Sequence, residues 1–443
     1  GVTVEAASPA LIEKVRVVIT DSQGLYRIVD LRPGMYTVSF TLPGFRTFRR
    51  EGIELTTGFT ATVNADMQVG TVEETITVTG EAPVVDIQNV QQQTTIQRAA
   101  LEALPIAQRP SQFVTLIPAA TAGATTFHDV GGVGTDRGFF GVHGQRADDM
   151  TFNFGGMDSR VFSGGGVQYN AHTFEEVVVE TAAGSAEATT GGVQINIVPK
   201  DGGNVFSGTI STEITGPKLT FDNINDDLRA RGLTKAGSVR RYYDVGGGVG
   251  GPIVRDRLWF FSAARYEDRS SYQAGNYYNK LQGTVFYEPD LSRPAYNHDY
   301  SKDLSARLTW QAGAKHKIVG SYTHHPSCQC TFALLEQVSP IFAPEAVAEH
   351  HYDGTGPGQL PQFLATGQYF YPVTNRFLIE ADWSKSVYHR NQARIPGVGY
   401  DAISITDTGL NLRYGSRSTY YQVLNDDRLH ERIAMSYITG THN

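Results

Sequence analysis

The chain has 443 residues, 19% of them charged, and a net charge of −8. That length argues for about two or three units rather than one small domain. The acidic balance argues against nucleic-acid binding, which needs a basic surface. Gly (47), Tyr (22) and Phe (22) are generous, and Gly with aromatic and β-branched residues favours turns and strands over helices. No run of about 18 apolar residues occurs, so no transmembrane helix is expected. A β-barrel hides its lipid face in alternate positions and stays open as a reading. Gly1 opens no basic, apolar leader, and Asn443 falls in or just after a strand pattern, so we read the chain as a fragment truncated at both ends.

Residues 1–70 alternate apolar and polar over short runs: VRVVIT at 15–20, YTVSF at 36–40 and ATVNADM at 61–67. Turn signals separate them, among them Arg32-Pro33-Gly34 and Leu42-Pro43-Gly44. Strands at this spacing predict a small β-sandwich. The series Asp21, Gly24, Tyr26, then Leu31, Pro33, Gly34, Tyr36, then Pro43, Gly44, Phe45 resembles the carboxypeptidase regulatory-like domain, an accessory module with no catalytic set of its own.

Residues 71–89 form a segment and linker that contains EETITVTG. Thr75, Thr77 and Thr79 alternate with Ile76 and Val78, the pattern of a short strand. Glu74, Thr75, Ile76, Thr77, Val78, Thr79 and Gly80 resemble a TonB box. An extended segment with free backbone edges can add as a strand to a partner's sheet. The plainer alternative is that it is the last strand of the sandwich.

Residues 90–204 begin with a short helix candidate at 98–104 and continue through Gly-rich loops to a strand at 175–182 and a strand plus turn at 191–204. Leu104, Pro105, Arg109 and Pro118, then Gly144-Gln145-Arg146, Glu175-Glu176-Val177 and Ser185-Ala186-Glu187 resemble the plug domain of TonB-dependent receptors, in detail the Oar-like subgroup. Gly191, Gly192, Ile195, Asn196, Pro199, Lys200, Gly202, Gly203 and Asn204 extend the match. The sequence departs from that pattern at Gly155-Gly156, where the subgroup often has Asp-Gly, and at Ala188-Thr189.

From 205 to 443 the pattern becomes long amphipathic strands. Leu304, Ala306, Leu308 and Trp310 share one face, and Asp303, Ser305, Arg307 and Thr309 the other. Phe377, Ile379, Ala381 and Trp383 oppose Glu380, Asp382 and Ser384 in the same way. Period-two alternation of this kind suits lipid outside and water inside. Strands are expected near 205–215, 241–251, 257–268, 303–311, 316–324, 362–371, 375–386, 416–424 and 431–440. Short connectors alternate with long ones of about 25–37 residues, the arrangement of an outer-membrane barrel. Aromatic clusters at Trp259-Phe260-Phe261, Tyr369-Phe370-Tyr371 and Tyr420-Tyr421 are read as an interfacial girdle. The expected fold class is therefore mainly β: a small sandwich, an α+β plug, and the first strands of an antiparallel transmembrane barrel.

One connector holds His324, His325, Cys328, Cys330, Glu349, His350 and His351. Imidazole and thiolate bind zinc or copper. C-x-C is not the usual zinc spacing, and an exported pair favours oxidation, so a Cys328–Cys330 disulfide with exposed histidines is expected and no metal. Gly131–Gly138 lacks the Lys-Ser/Thr of a phosphate cradle, and GGGVGGP at 246–252 is read as close packing of plug against wall. No catalytic constellation and no cofactor are expected.

The resemblance implies energised import across the bacterial outer membrane, with the N-terminal domain in the periplasm. It implies TonB, with ExbB and ExbD, as partner, lipid around the barrel, and an extracellular ligand that the sequence does not identify. An Oar-like surface adhesion or secretion-related gated barrel is the alternative. The chain is not expected to be an enzyme.

Overall fold

The computed structural model describes the whole chain except residues 12–13, 22–23, 30, 56–59, 71–74, 80–91, 104–116, 118–119, 123–139, 143, 146–148, 160–169, 183–190, 222–223, 232–236, 333, 335–339, 375–376, 418–420 and 438–443. Glu74, Gly80, Leu104, Pro105, Arg109, Pro118, Arg146, Ser185 to Thr189, Tyr420 and the 131–138 loop lie outside the described residues.

The first sheet is built from β1 (Thr3–Ala7), β2 (Val15–Ile19), β3 (Gly34–Thr41), β4 (Thr47–Leu55) and β5 (Thr75–Thr79), in the order β2-β1-β3-β4-β5. Val4, Ala6, Tyr36, Val38, Phe40 and Ile53 point to one side and are buried there. The covering layer departs from expectation. Residues 61–67 run as extended chain without a ladder and pack Val63, Ala61, Ala65 and Met67 onto the sheet. The Tyr26 hydroxyl ties the two layers by donating to the Val63 carbonyl at 2.8 Å. β4 breaks strict alternation because it bulges: the pairing jumps from Tyr36↔Ile53 to Val38↔Arg50, and Gly52 between them takes φ +74°. A bulge needs such a residue and erases the period-two signal.

The plug comprises β6 (Gln92–Gln97), α1 (Arg98–Ala103), β7 (Ala120–Ala122), β8 (Phe140–Val142), β9 (Thr151–Phe154), β10 (Met157–Asp158), β11 (Phe174–Ala182) and β12 (Gln194–Pro199). Its main sheet runs β10-β9-β12-β11-β6, with β9 and β12 parallel. The β9–β10 hairpin turns on Gly155 and Gly156, with φ +59° and +83°. Positive φ at both central residues is the tight turn that matches strand twist, and Gly adopts it without strain. Phe152, Phe154, Phe174, Val177, Val179, Ile195 and Ile197 form the core, and Leu364 of the large sheet closes it.

The large sheet contains β13 (Ser207–Thr215), β14 (Ser238–Val254), β15 (Leu258–Asn279), β16 (Pro289–Gly313), β17 (His316–His324), β21 (Phe363–Thr374), β22 (Phe377–Arg394) and β25 (Val423–Tyr437), neighbours in that order and antiparallel throughout. A short helix, α2 (Asp226–Ala230), lies between β13 and β14 and is capped by the Asn225 side chain. Above β17 and β21 the sheet continues through β18 (Ser327–Phe332) and β20 (Ala348–His351), which link β16 to β22. A side sheet of β19 (Ile341–Phe342), β24 (Leu412–Tyr414) and β23 (Ile405–Asp407) joins them as a cap.

Four expectations about this region are corrected. The long connector at 269–302 is mostly strand: β15 and β16 run 22 and 25 residues, well past the apolar band. Residues 325–361 hold β18, β19 and β20 rather than a structureless loop. Positions 416–424 and 431–440 are not two strands; β25 runs unbroken from 423 to 437. Its Asn425-Asp426-Asp427-Arg428 resembles a turn by composition, but the Asp426–Arg428 pair bonds at 3.0 Å along one face and the ladder continues through it. The aromatic cluster on β15 also divides: Phe260 faces outward, whereas Trp259 and Phe261 are buried.

The two faces follow the period-two pattern. Val245, Val249, Leu304, Leu308, Trp310, Ile318, Tyr322 and Trp383 are exposed, while Asp303, Ser305, Thr309, Thr323, Asp382 and Ser384 are buried. A substitution in the exposed band tests its solvent. Ala306→Arg places a charge between the levels of Trp310 and Lys302, and should lower bilayer-reconstituted stability by about 2–4 kcal/mol, as for a barrel midplane. Reversible urea unfolding from vesicles measures it, and no loss would show that the band is wet.

Candidate functional site

Three features gather residues with a possible role: the β5 edge, the seam between plug and large sheet, and the cap.

β5 is the last strand of the first sheet and pairs in parallel with β4, Thr47↔Thr75 through Glu51↔Thr79. The TITVT run is thus extended, and Thr77 is exposed. A segment read as linker is built into the N-terminal sheet, because its β-branched run extends the ladder that β4 would otherwise leave open. Terminal strands present unpaired N–H and C=O groups along one side.

The seam is made by small residues and polar pairs. An ideal Cβ on Gly246 would lie 2.9 Å from His172 Nε2 of the plug, and one on Gly202 would lie 2.2 Å from the Phe260 carbonyl oxygen. Close approach of plug and wall therefore requires glycine here. His172 Nε2 also meets Ser211 Oγ at 2.9 Å, and Asn170 Nδ2 donates to Asp303 Oδ1 at 2.9 Å. The Gly155-Gly156 hairpin is gripped from the other side. Gln368 Nε2 donates to the Gly155 carbonyl at 2.9 Å, and Ser384 Oγ donates to that of Asp158 at 3.2 Å. Carboxylates on the buried face are paired rather than solvated: Asp244 with Arg265, Asp299 with Arg269 and Asp382 with Arg432.

Just after β12, Asp201 is buried between Arg32 of the first domain and Arg307 of β16. Burial pushes its carboxyl up, but Arg307, Arg32 and Lys317 outweigh that and hold it below the usual carboxylate range. Sequence reasoning marked Gly202 and Arg307 but not their meeting through Asp201, since no local pattern links residues 32, 201 and 307.

In the cap, Cys328 and Cys330 are joined, with Cα atoms 5.2 Å apart. They sit on β18, not in a loop. The expectation of solvent-exposed histidines is corrected: His325 and His350 are buried. His350 stacks on Phe332 at 3.8 Å and reaches Gln392, whereas His351 is the cross-strand partner of Cys328. Neighbouring residues of a strand face opposite ways, so the two imidazoles cannot converge on the sulfurs. Arg394 lies over Tyr400 and Tyr421, and Arg417 over Phe332 and Phe342, which fastens the cap.

A plug packed on the buried face of an antiparallel sheet, with an aromatic-aliphatic band on the other, is a plug-and-barrel architecture. Residues 1–68 match the carboxypeptidase regulatory-like domain family. The TonB-dependent transporter Oar of Myxococcus xanthus is 26% identical over 272 residues, 59% of this chain and 24% of that protein. The outer membrane transporter YddB from Escherichia coli superposes with a TM-score of 0.50 at 10% identity, over 77% of this chain and 45% of that one. The siderophore receptor PirA from Acinetobacter baumannii gives 0.46 at 15% identity, over 77% and 44%. The chain is thus similar in sequence to a TonB-dependent transporter over about three-fifths of its length, and its first 68 residues match a carboxypeptidase regulatory-like domain. It spans about a quarter of the curated relative's length.

His351 gives the cap a pH dependence. Glu349, at 3.1 Å from Nε2, raises its pKa above 6.5; burial opposes this, and Asp353 adds to the rise. A raised folded-state value stabilises the cap fully below 6.5 and loses that contribution as pH climbs through the folded value. Amide exchange at Ala348–His351 should therefore accelerate, beyond the intrinsic rate change, as pH rises above 6.5, and His351→Gln should abolish the excess.

Proposed function

We propose that the chain is part of a transporter that takes up an extracellular ligand across the outer membrane when TonB pulls on residues 74–80, drawing the plug into a permissive state. The observation that carries this reading is β5: a TITVT strand at the end of a sheet, held by a single parallel neighbour. Relatedness to a TonB-dependent transporter supports it further. Each main-chain bond nets about 0.5–1.5 kcal/mol. Exchanging β4 for a strand of TonB is then nearly balanced, and partner contacts shift the population. In this mechanism the first domain is periplasmic, TonB draws its energy through ExbB and ExbD, and lipid bathes the outer band. The plug moves by giving up the Gly155, Asp158 and Asn170 bonds to the wall. No residue need do covalent chemistry, in keeping with relatives that are transporters and receptors.

Proline at Val78 removes a backbone donor and fixes φ. Val78→Pro should abolish TonB binding, measured by titration of the purified receptor with the periplasmic domain of TonB, while the wall still folds. Undiminished binding would remove residues 74–80 from the mechanism. We propose too that Cys328 and Cys330 are oxidised to each other in the mature protein. Untreated protein should show the disulfide mass, and a dithiol mass would refute the pairing.

A further inference from the structure

Three parts of the molecule meet at one carboxylate. Arg32 lies just before β3 of the N-terminal domain, Asp201 ends the plug, and Arg307 and Thr309 share the buried face of β16. Arg32 Nη2 donates to Asp201 Oδ2 at 2.7 Å, and Arg32 Nη1 reaches the Gly202 carbonyl at 3.3 Å. The other carboxylate oxygen accepts from Arg307 Nε and, at 2.8 Å, from Thr309 Oγ1. We propose that Asp201 is a shared counter-ion that latches the N-terminal domain to the plug–wall junction, so that docking of this domain and seating of the plug are coupled.

The arrangement differs from an ordinary surface ion pair. Exposed pairs contribute little because water screens them. Here the side chains of Arg32, Asp201 and Arg307 keep only 21%, 13% and 11% of their exposure. Two guanidiniums share one carboxylate, and Lys317 adds a third positive charge within Coulombic reach. Each oxygen is committed to a different body, Oδ2 to the N-terminal domain and Oδ1 to the wall. Arg32 also grips the Gly202 peptide, which the Phe260 carbonyl presses so closely that no side chain would fit. If residues 201–202 leave the wall, Arg32 loses both acceptors in place. If Arg32 leaves, the wall must hold Asp201 alone. Coupling between two such events is reciprocal. A second contact runs in parallel, since Gln97 of plug strand β6 donates to Glu54 of β4. β4 is the strand that holds β5.

The test uses the full receptor in lipid nanodiscs, without any partner, so its outcome is independent of the role assigned to β5. Spin labels go on Glu5→Cys of β1 and Lys315→Cys of the β16–β17 turn, both exposed. The unsubstituted latch should give one narrow interspin distance. Arg32→Ala keeps the backbone carbonyl to which Tyr36 donates, so the domain itself stays folded. It should broaden the distribution and speed amide exchange at 201–204 by about fivefold or more, the lower range of site-to-site coupling. Arg32→Lys should restore part of both. Thr309→Val, which weakens only the wall side without changing charge, should also broaden the distance. Arg49→Ala breaks an exposed pair with Glu51 on the same domain and should change neither. A narrow distance in Arg32→Ala, unchanged exchange at 201–204, or no effect of Thr309→Val on the domain would each overturn the coupling.

Discussion

A strand that crosses hydrocarbon finds no water for its peptide groups, so each N–H and C=O must bond a neighbouring strand. The strands between β13 and β25 meet that requirement with antiparallel ladders that continue past the apolar band into the cap, while β13 and β25 each have a ladder on one side among the described residues. Once the backbone is so fixed, side chains have only two directions to take. One direction is exposed and carries Leu304, Leu308, Trp310 and Trp383; the other is buried and carries Asp303, Thr309, Asp382 and Ser384. Ionisable residues on the inner face are then obliged to pair, which is why Asp244, Asp299 and Asp382 each hold an arginine.

The same constraint shapes the plug. It packs on the polar face of the large sheet, and the seam joins the two through close backbone approach and polar pairs. Glycines at 202 and 246 let backbone approach backbone, and a handful of hydrogen bonds from Asn170, Gln368 and Ser384 fix the register. Leu364 and Tyr388 pack against the plug core from the wall side. The N-terminal domain shares the logic: β5 is held by backbone bonds to one neighbour, and the domain touches the junction through Arg32.

Much of this organisation was legible in the residues because alternation is a local signal. LSARLTW and FLIEADW announce their two faces without reference to anything distant, and both faces are as read. Misreadings occurred where the local signal was interrupted or imitated. Gly52 hides β4 behind a bulge, NDD in β25 imitates a turn, and the polar stretches of β15 and β16 above the membrane lack the apolar partner face that marks a strand. A polar strand standing in water has no reason to alternate.

The sequence by itself determined the class of elements, the two-sided register of the large-sheet strands and the likeness to TonB-dependent receptors, because each depends on spacing between near neighbours. Tertiary structure alone decided that TITVT completes the N-terminal sheet, that the cap folds as a sheet with its own small cores, and that His350 and His351 face apart around the Cys328–Cys330 link. It alone brought Arg32, Asp201 and Arg307 together. Residues so far apart in the chain meet only when separate elements have packed. Charge and hydrogen-bond geometry act at a few ångströms, and no pattern along one segment encodes which distant side chain will arrive there.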